Sequence, residues 1–468
     1  MKTFLLINLL FYLAGLASAA HALVQPRDNF SKFAWSASLS IFPQLFVPWY
    51  WLVGRSFSGG FAKNRSEKLA ELQQHEERIL QELQPFVVRS DSPVAVAMSE
   101  IDRFPTTDGN SVEIFKDGPA TFEAIYSAMD QAQEYIFAQF YEIRDDRTGK
   151  EFRDHLERAG RRGVRVYLFY DPFESGLDDE WLQPLRDVGA EVAAHDPSVG
   201  YTDPYEGNFR NHRKNCIVDG EMAFIGGHNV GDAYLSRDPE VGHWRDTHFR
   251  VKGPAVLVAQ QSFIRDYFHV TGDVPPARWK ASRHGSVRMT IVPSEPRDFW
   301  DPAGLSYLSA LNSAQEKIWL SSPYLIPDEK GLAALEAAAL RGVEVKIIIP
   351  EESEVKLADC ANLTNAERLI THSKIEIYRK CQGALHQKAL LVDDKGVLVG
   401  SANFDYRSFR LNLELVAWIE DSDIVKSMDE LLASDFEKAE KLSREFFEKE
   451  SAPQRLKRSV AKMLHPLL

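Results

Sequence analysis

The sequence is poor in cysteine and has no excess of positive charge, and each shortage narrows the possible functions. Its 468 residues include three cysteines and carry a formal net charge of −13. Three cysteines cannot all pair, so we expect free thiols in a reducing compartment. Because no global positive field attracts polyanions, the composition argues against a general nucleic-acid-binding protein.

Charged residues are also missing from two long stretches near the N-terminus. Residues 3–25 and 33–54 contain no Lys, Arg, Asp or Glu, and each stretch is long enough to cross a bilayer once. Trp and Tyr lie near the ends of the second stretch, where amphipathic rings favour the membrane interface. Lys and Arg become more frequent after residue 55. This bias predicts a two-span membrane anchor, with everything after residue 55 in the cytoplasm.

The topology of this N-terminal region has alternatives. Lys2, a short apolar core and the segment ASAAHA are also typical of a cleavable signal peptide. Pro43 and Pro48 would kink the second stretch, or make it dip into the membrane without crossing it cleanly. Beyond the anchor, helical periodicity with mixed charge over residues 64–84 predicts a helix that leads into the globular part.

From about residue 110 the chain alternates helix-like and strand-like stretches, and the pattern occurs twice. AQEYIFAQFYEI is matched 182 residues later by AQEKIWLSSPYLIP. NHRKNCIVDGEMAFIGGHN, at residues 211–229, is matched 174 residues later by LHQKALLVDDKGVLVGSAN. Each unit shows helix, buried strand, helix, buried strand and a final strand with His, Lys and Asp. The sequence therefore predicts a layered α/β architecture made of two tandem homologous halves.

The residues that repeat are those that phosphoryl chemistry needs. His212 and Lys214 in the first copy, and His386 and Lys388 in the second, lie two positions apart and face one side of a strand. Lysine neutralises an anionic phosphoryl group, and histidine attacks it or transfers a proton near neutral pH. One copy supplies a nucleophile without an acid. Two copies brought together supply both, as phosphodiester cleavage through a phosphohistidine requires.

Two further residue types recur in each copy. Asp219 and Asp393 belong to the same catalytic motifs, but they lie seven positions after the histidines. They therefore face the opposite side of an unbroken strand, and we expect them to support the strand end. Asn229 and Asn403 follow turn glycines and are expected to donate amide hydrogen bonds to the phosphoryl oxygens. A duplicated motif in a duplicated frame favours a catalytic site over two solvated surface strands.

These motifs resemble those of the phospholipase D superfamily, whose duplicated HKD motif corresponds to the two stretches above. Within it the chain is most similar to the bacterial cardiolipin synthase family, on segments such as HWRDTHFRVKGPAV, SANFDYRSFRLNLEL, PWYWLVGR and MLHPLL. The resemblance implies an α/β fold of two tandem phospholipase D-like α/β/α domains with one shared active site. The expected boundaries are 1–55 for two hydrophobic membrane segments, 56–104 for a linker with a helix, 105–275 and 276–445 for the two domains, and 446–468 for a basic amphipathic tail.

The resemblance implies a two-step phosphatidyl transfer that needs no metal or other cofactor. His212 would attack the phosphorus of one phosphatidylglycerol, and His386 would protonate the departing glycerol. His386 would then deprotonate the hydroxyl of a second phosphatidylglycerol, which releases cardiolipin. His243, His248 and Asp246 come nearest to a metal-ligand cluster, and local packing is the favoured interpretation of them.

The same resemblance implies four supporting residues. Asp246, 34 positions after the first motif histidine, and Glu414, 28 after the second, are each expected to orient the histidine of their own copy. A surface salt bridge is the alternative for both. Ser401 and Arg407 are expected to line the pocket.

The implied partners are anionic phospholipids and a membrane, without nucleic acid. The implied location is the bacterial inner membrane, with a multi-pass anchor and a cytoplasmic catalytic region. The basic apolar tail at residues 455–468 is expected to attract anionic lipid, with a solvated terminal helix as the alternative.

Other functions share some of these features. A hydrolytic phospholipase D or another phosphatidyltransferase carries the same motifs with a different acceptor. A nuclease of the same superfamily uses the same histidines, but the acidic balance and the apolar N-terminus argue against it. A non-catalytic membrane scaffold would be expected to have lost part of one motif, whereas both copies are complete.

Overall fold

The computed structural model describes most of the chain as two compact units. The described residues are 2–24, 29–53, 66–195, 209–296, 298, 300–353, 355–380 and 382–463. The described residues up to 53 belong to one unit, and those from 66 onward belong to the other. Several expectations concern residues outside the described part, namely the Lys and Arg residues between positions 55 and 65, the third cysteine, Cys381, and the final segment 464–468.

Within its described residues, the first unit contains the helices α1 Lys2–Val24, α2 Asn29–Ile41 and α3 Pro43–Val53. Among the described residues, one helix is long and apolar enough to cross a membrane, over Leu6–Val24. The second charge-free stretch is divided into α2 and α3, of 13 and 11 residues, or about 20 and 16 Å of helix. The helix is interrupted just before Pro43, which has no amide N–H, so the expected effect of this proline is found, and a second crossing of the membrane stays a prediction.

The second unit contains the remaining helices and all the described strands. The helices are α4 Ser66–Leu83, α5 Pro93–Asp102, α6 Gly118–Gln131, α7 Arg147–Arg161, α8 Pro172–Ser175, α9 Asp179–Asp187, α10 Val256–Thr271, α11 Pro302–Ser313, α12 Glu329–Leu340, α13 Lys356–His372, α14 Tyr406–Arg410, α15 Ser422–Glu437, α16 Arg444–Glu448 and α17 Ala452–Met463. Several of them begin at an aspartate whose side chain accepts from an amide of the first turn, as Asp117 and Asp328 do for α6 and α12.

The strands fall into two series of the same kind. The first half contains β1 Thr107–Phe115, β2 Tyr135–Phe140, β3 Arg165–Tyr170, β4 Glu191–Ala194, β5 Arg210–Asn211, β6 Asn215–Val218, β7 Met222–Gly226, β8 Trp244–Arg245 and β9 His248–Lys252. The second half contains β10 Val287–Ser294, β11 Lys317–Ser321, β12 Glu344–Pro350, β13 Glu376–Lys380, β14 Ala384–Leu385, β15 Ala389–Val392, β16 Gly396–Gly400, β17 Asn412–Glu420 and β18 Glu440–Lys441.

The two halves have the same strand order and join at their first strands. The first half is ordered β1-β9-β7-β6-β2-β3-β4, and the second is ordered β10-β17-β16-β15-β11-β12-β13, with β18 added at the edge. β1 and β10 pair antiparallel, with Thr107 opposite Met289 and Asn110 opposite Val287. The predicted α/β architecture of two repeated halves is confirmed, and the halves form one continuous sheet.

Helices cover both faces of this sheet, which explains its consecutive apolar residues. Every residue of β2, YIFAQF, is buried, as expected for a strand with both faces covered. One core includes residues of both halves, among them Phe137, Phe263, Leu391 and Ile419. Two further cores belong to the first and the second half separately. The shared core holds the two halves in one compact unit.

Asp219 and Asp393 are structural residues at corresponding ends of β6 and β15. The carboxylate of Asp219 accepts hydrogen bonds of 2.7–2.9 Å from the amides of residues 133–135. The carboxylate of Asp393 accepts bonds of 2.8–3.3 Å from the amides of residues 315–317. Each aspartate therefore fixes the start of the neighbouring strand, β2 or β11. These contacts agree with the expectation that the two aspartates support the strand ends.

The C-terminal helix α17 uses one of its basic residues internally. Arg458 is 5% exposed, and its guanidinium donates to Glu367 (2.9 Å) and to the carbonyl of Leu363 (3.2 Å) on α13. Lys457, the residue before it, is exposed. The lipid-binding role of this tail stays a prediction.

The two adjacent aspartates 393 and 394 provide a matched test of this scaffold role. We expect Asp393→Ala to lower the free energy of unfolding by about 2–4 kcal/mol, because the amides of residues 315–317 lose an acceptor that is itself buried. The side chain of Asp394 is 86% exposed and pairs with Lys317 at 3.4 Å, so Asp394→Ala should cost about 0–1 kcal/mol. Denaturant unfolding of the two variants measures the difference, and equal losses would contradict the assignment.

Candidate active site

The main chain before each motif histidine pairs with a strand of the other half. β5 runs parallel to the start of β17, and β14 runs parallel to β8. The amide of His212 donates to the carbonyl of Leu413 at 3.0 Å. The amide of His386 donates to the carbonyl of Arg245 at 2.8 Å. Backbone hydrogen bonds to the opposite half therefore hold each histidine in place.

The next residue of each supporting strand carries a carboxylate that bonds to that histidine. His212 Nδ1 lies 3.0 Å from Glu414 Oε1, and His386 Nδ1 lies 2.7 Å from Asp246 Oδ2. The expectation that each carboxylate orients the histidine of its own copy is wrong. The pairs cross between the halves because β5 and β14 leave their own half to pair with the other.

Burial and the crossed contacts set the charge state of both pairs. Burial lowers the pKa of His212 to about 4 and that of His386 to about 3. Burial alone would raise the pKa of a carboxyl, but His212 and Lys214 lower that of Glu414 to about 2. Burial alone would also raise the pKa of Asp246, but Lys388 and His386 lower it. Each neutral imidazole therefore donates Nδ1–H to an ionised carboxylate, and in His212 this leaves the Nε2 lone pair for chemistry.

Two buried ammonium groups accompany the histidines. Lys214 Nζ donates to the carbonyl of His212 at 2.7 Å and lies 4.8 Å from the ring centre of Tyr141. Lys388 Nζ lies 2.9 Å from Nε2 of His386. Burial lowers the pKa of Lys214 to about 7. The charge of Lys388 lowers the pKa of His212 as well as that of His386, so the two copies share one electrostatic site suited to an anion.

The two motif asparagines differ in their contacts. Asn229 Nδ2 donates to the hydroxyl of Tyr234 at 3.2 Å, and its Oδ1 accepts from the amide of Glu142 at 3.3 Å. Asn403 is buried, and within the described part of the chain its Oδ1 has no hydrogen-bond partner. The side chain of Asn229 is thus engaged inside the protein at both ends.

Ser401 holds a carboxylate and does not line a pocket, which corrects the expectation for this residue. It is fully buried, its Oγ donates to Glu414 Oε2, and it accepts from the amide of Leu415 at 2.9 Å. Gly227 occupies the corresponding position in the first copy. A Cβ on Gly227 would overlap the carboxylate of Asp246. The glycine is therefore required by the close approach of this carboxylate.

An aromatic ring packs on each motif histidine. The ring centre of Tyr141 lies 5.0 Å from that of His212, and the ring centre of Trp244 lies 5.2 Å from that of His386. Burial raises the pKa of Tyr141, and the positive charge of Arg407 opposes this rise. Arg407, on α14 of the other half, therefore acts electrostatically on Tyr141. Neither aromatic residue belongs to the duplicated motifs, so the motifs alone do not reveal them, although Tyr141 directly follows the buried strand β2.

A cavity of about 490 Å³ opens beside His386. Both halves contribute to its walls, which include Arg144, Trp244, Tyr324, Ser353 and Leu385. The cavity provides room for an alcohol of the size of glycerol next to this histidine.

The three residues considered as a metal cluster lie in different surroundings, and one of them, Asp246, bonds to His386. His248 is fully buried in β9 and lies opposite Gly226 of β7, whereas His243 lines a different, surface cavity. Among the residues that the structure describes, no group of three or more His, Cys, Asp or Glu is arranged to hold a metal ion.

The fold is shared with a known phospholipid enzyme. The crystal structure of phosphatidylserine synthase from Haemophilus influenzae Rd KW20 matches with a TM-score of 0.63 and 15% sequence identity. The match covers 81% of this chain and 100% of that chain. At this low identity the likeness shows the fold alone, a duplicated α/β architecture.

Relatives found by sequence define the family of this chain more narrowly than the fold does. The family model described as cardiolipin synthase, PLD-like domain, matches residues 125–256 and 307–436. Cardiolipin synthase A of Pseudomonas putida strain W619 is 35% identical over 98% of this chain and 97% of its own length. Cardiolipin synthase A of Pseudomonas fluorescens strain Pf-5 is 35% identical over 99% of this chain and 98% of its own. The chain belongs to the cardiolipin synthase family with duplicated PLD-like domains.

The crossed pair of the first histidine is tested by Glu414→Gln. We expect kcat to fall by about 10²–10⁴-fold with little change in folding, because a neutral amide no longer fixes the Nδ1–H tautomer or stabilises an imidazolium. Glu437→Gln, at an exposed position of α15, is the control and should keep full activity. Steady-state kinetics check this, and a Glu414→Gln variant within threefold of wild type would contradict the role of the pair.

Proposed function

We propose that this enzyme transfers a phosphatidyl group between two phosphatidylglycerol molecules through a phosphatidyl-histidine intermediate. The chain is a cardiolipin synthase of the phospholipase D type, by its family and by similarity over nearly its whole length. One observation carries the proposed mechanism. Two buried motif histidines share one site, and each donates Nδ1–H to a carboxylate of the opposite half.

In the first step, His212 Nε2 attacks the phosphorus of the donor lipid. The Nε2–P bond forms, and the bond between phosphorus and the glycerol oxygen breaks. His386 gives its proton to that oxygen, and glycerol leaves. Burial lowers the pKa of His386, whereas the negative charge of a bound phosphodiester raises it. Substrate binding therefore favours protonation of His386, which supplies the proton that the leaving group needs.

In the second step, His386 accepts the proton of the acceptor hydroxyl. The acceptor oxygen attacks phosphorus, the Nε2–P bond to His212 breaks, and cardiolipin is released. The cavity beside His386 supports this assignment, because the leaving glycerol and the acceptor alcohol must both reach the same acid/base group. Mass and charge balance over the two steps without any cofactor.

The phosphoryl group is held by the cationic and amide groups around the histidines. We assign this role to Lys214, Lys388 and Asn403, with Asn229 and Arg407 near them. The lysines are buried, so their interaction with an anion is weakly screened by solvent. Lys214 has a pKa of about 7 because of burial, and an anionic substrate favours its charged form.

We also propose that the N-terminal unit holds the enzyme in a bacterial inner membrane. Large apolar side chains along α1 are exposed, including Leu9, Leu13 and Leu16 at 55–58%, as expected for a surface that faces lipid. α1 contacts both α2 and α3, so the first span and the divided second stretch form a hairpin-like group. A catalytic region on the cytoplasmic side follows from the excess of Lys and Arg after residue 55.

The proposed domain division follows the repeat. Residues 1–55 form the membrane segments, 56–104 the linker, 105–275 and 276–445 the two phospholipase D-like domains, and 446–468 the tail. Both matches to the family model lie within the two central ranges. Anionic phospholipids, namely phosphatidylglycerol as substrate and cardiolipin as product, are the proposed partners.

The reaction is tested with purified protein and phosphatidylglycerol as the sole lipid. Cardiolipin and glycerol should appear in nearly equal amounts, because each transfer releases one glycerol. His212→Ala and His386→Ala should each abolish turnover, since nucleophile and acid/base act as a unit. Mass spectrometry of lipids gives the products. Phosphatidic acid as the main product would identify a hydrolytic phospholipase D, and substantial activity in either variant would contradict the mechanism.

The membrane topology is tested separately in cells. A reporter fused after residue 468 should give a cytoplasmic signal, and the mature N-terminus should lie at or next to Met1. Reporter activity and N-terminal sequencing measure the two quantities. Cleavage near Ala19 or Ala22 would show that the first stretch is a signal peptide and would contradict the uncleaved anchor.

A further inference from the structure

In each of the two motifs, one residue lies between the histidine and the lysine. Arg213 and Gln387 lie 174 positions apart, and both side chains are fully buried. Because neighbouring residues of an extended segment face opposite sides, these side chains point away from the ring and the ammonium group on either side of them. They therefore contact other parts of the fold than the phosphoryl site.

Arg213 binds the backbone of the residue whose side chain binds His212. Its Nε donates to the carbonyl of Glu414 at 2.9 Å. Its Nη2 donates to the carbonyl of Ser294 at 3.1 Å, the residue that pairs with Glu414 across β10 and β17. Its Nη1 donates to Asp266 at 2.5 Å. The first motif therefore binds Glu414 at two points. His212 bonds to its side chain, and Arg213 donates to its carbonyl.

Gln387 makes the corresponding contact from the second motif. Its Nε2 donates to Thr247 Oγ1 at 2.6 Å, and the amide of Thr247 donates to Asp246 Oδ1 at 2.7 Å. Asp246 is the carboxylate that orients His386. The second motif therefore also holds its crossed carboxylate by two routes, one direct and one through the neighbouring residue.

The different chemistry of the two middle residues matches their surroundings. Arg213 lies against Asp266 and 3.7 Å from Glu295, so a cation is needed and a guanidinium serves several acceptors at once. The Nε2 of Gln387 contacts a hydroxyl and the sulfur of Met428. A neutral amide is suited to that site.

We propose that Arg213 and Gln387 are positioning residues for the two crossed histidine–carboxylate pairs. Each fixes the strand of the opposite half that carries the carboxylate, and so sets the distance and angle at which the histidine acts. This inference rests on the proposed function, in that both histidines take part in phosphatidyl transfer. The middle position of each motif then acts on turnover without touching the substrate.

The test compares two variants with two controls from the same protein core. Gln387→Met keeps the length of the side chain and removes the hydrogen bond to Thr247. Its control is Gln261→Met, because Gln261 is fully buried and both of its polar side-chain atoms have no hydrogen-bond partner within the described residues. Arg213→Gln introduces the residue of the other motif. Its control is Arg265→Gln, because Arg265 lies 3.8 Å from the same Glu295.

Rates are measured on the full-length protein as total phosphatidyl transfer, the sum of cardiolipin and phosphatidic acid. We expect Gln387→Met and Arg213→Gln to lower kcat at least about tenfold, with KM for phosphatidylglycerol within about twofold, because misplaced catalytic groups slow the chemical steps. Gln261→Met and Arg265→Gln should keep kcat within about threefold, as small losses of stability leave the geometry of the folded enzyme intact.

Two results would overturn the proposal. One is a kcat within threefold of wild type in Gln387→Met, which decides the matter even if Arg213→Gln fails to fold. The other is an equal loss of kcat in the controls, which would reveal a general effect of core substitutions. A wild-type protein that transfers no phosphatidyl group would contradict the proposed function itself, and the two failures are thereby distinguished.

Discussion

The hydrogen bonds from each motif histidine to a carboxylate of the opposite half are the interactions on which the active site depends. Glu414 and Asp246 are both fully buried, and removing the partner of a buried charge costs about 3–5 kcal/mol. Because the two partners belong to different halves, this cost applies to any change in how the halves are joined. The antiparallel seam of β1 and β10 and the shared core keep that arrangement fixed.

Much of the architecture could be predicted because it is encoded locally. Strand and helix periodicity, and a motif that recurs after 174 residues, are properties of short segments, and they indicate two α/β halves without knowledge of their arrangement. The N-terminal region shows the limit of such reasoning. Hydropathy describes residues 33–54 as one apolar stretch, whereas the missing amide of Pro43 divides it into two helices.

The pairing within the site could not be predicted, because it depends on contacts between the halves. Position along the chain assigns Asp246 and Glu414 to the motif histidine of their own copy. The crossing arises from β5 and β14, strands of two residues each, which are too short for periodicity to reveal. The contact of Ser401 could not be predicted for a similar reason, since only the folded structure brings its hydroxyl to Glu414.

The site of phosphorylation on the imidazole ring tests the crossed arrangement most directly. Rapid acid-free quenching of the enzyme with labelled phosphatidylglycerol, followed by proteolysis and mass spectrometry with isomer standards, identifies the modified nitrogen. Because Nδ1 of His212 is held by Glu414, the account predicts a phosphoramidate at Nε2 of His212. A phosphoramidate at Nδ1, or a covalent adduct on another side chain, would contradict it.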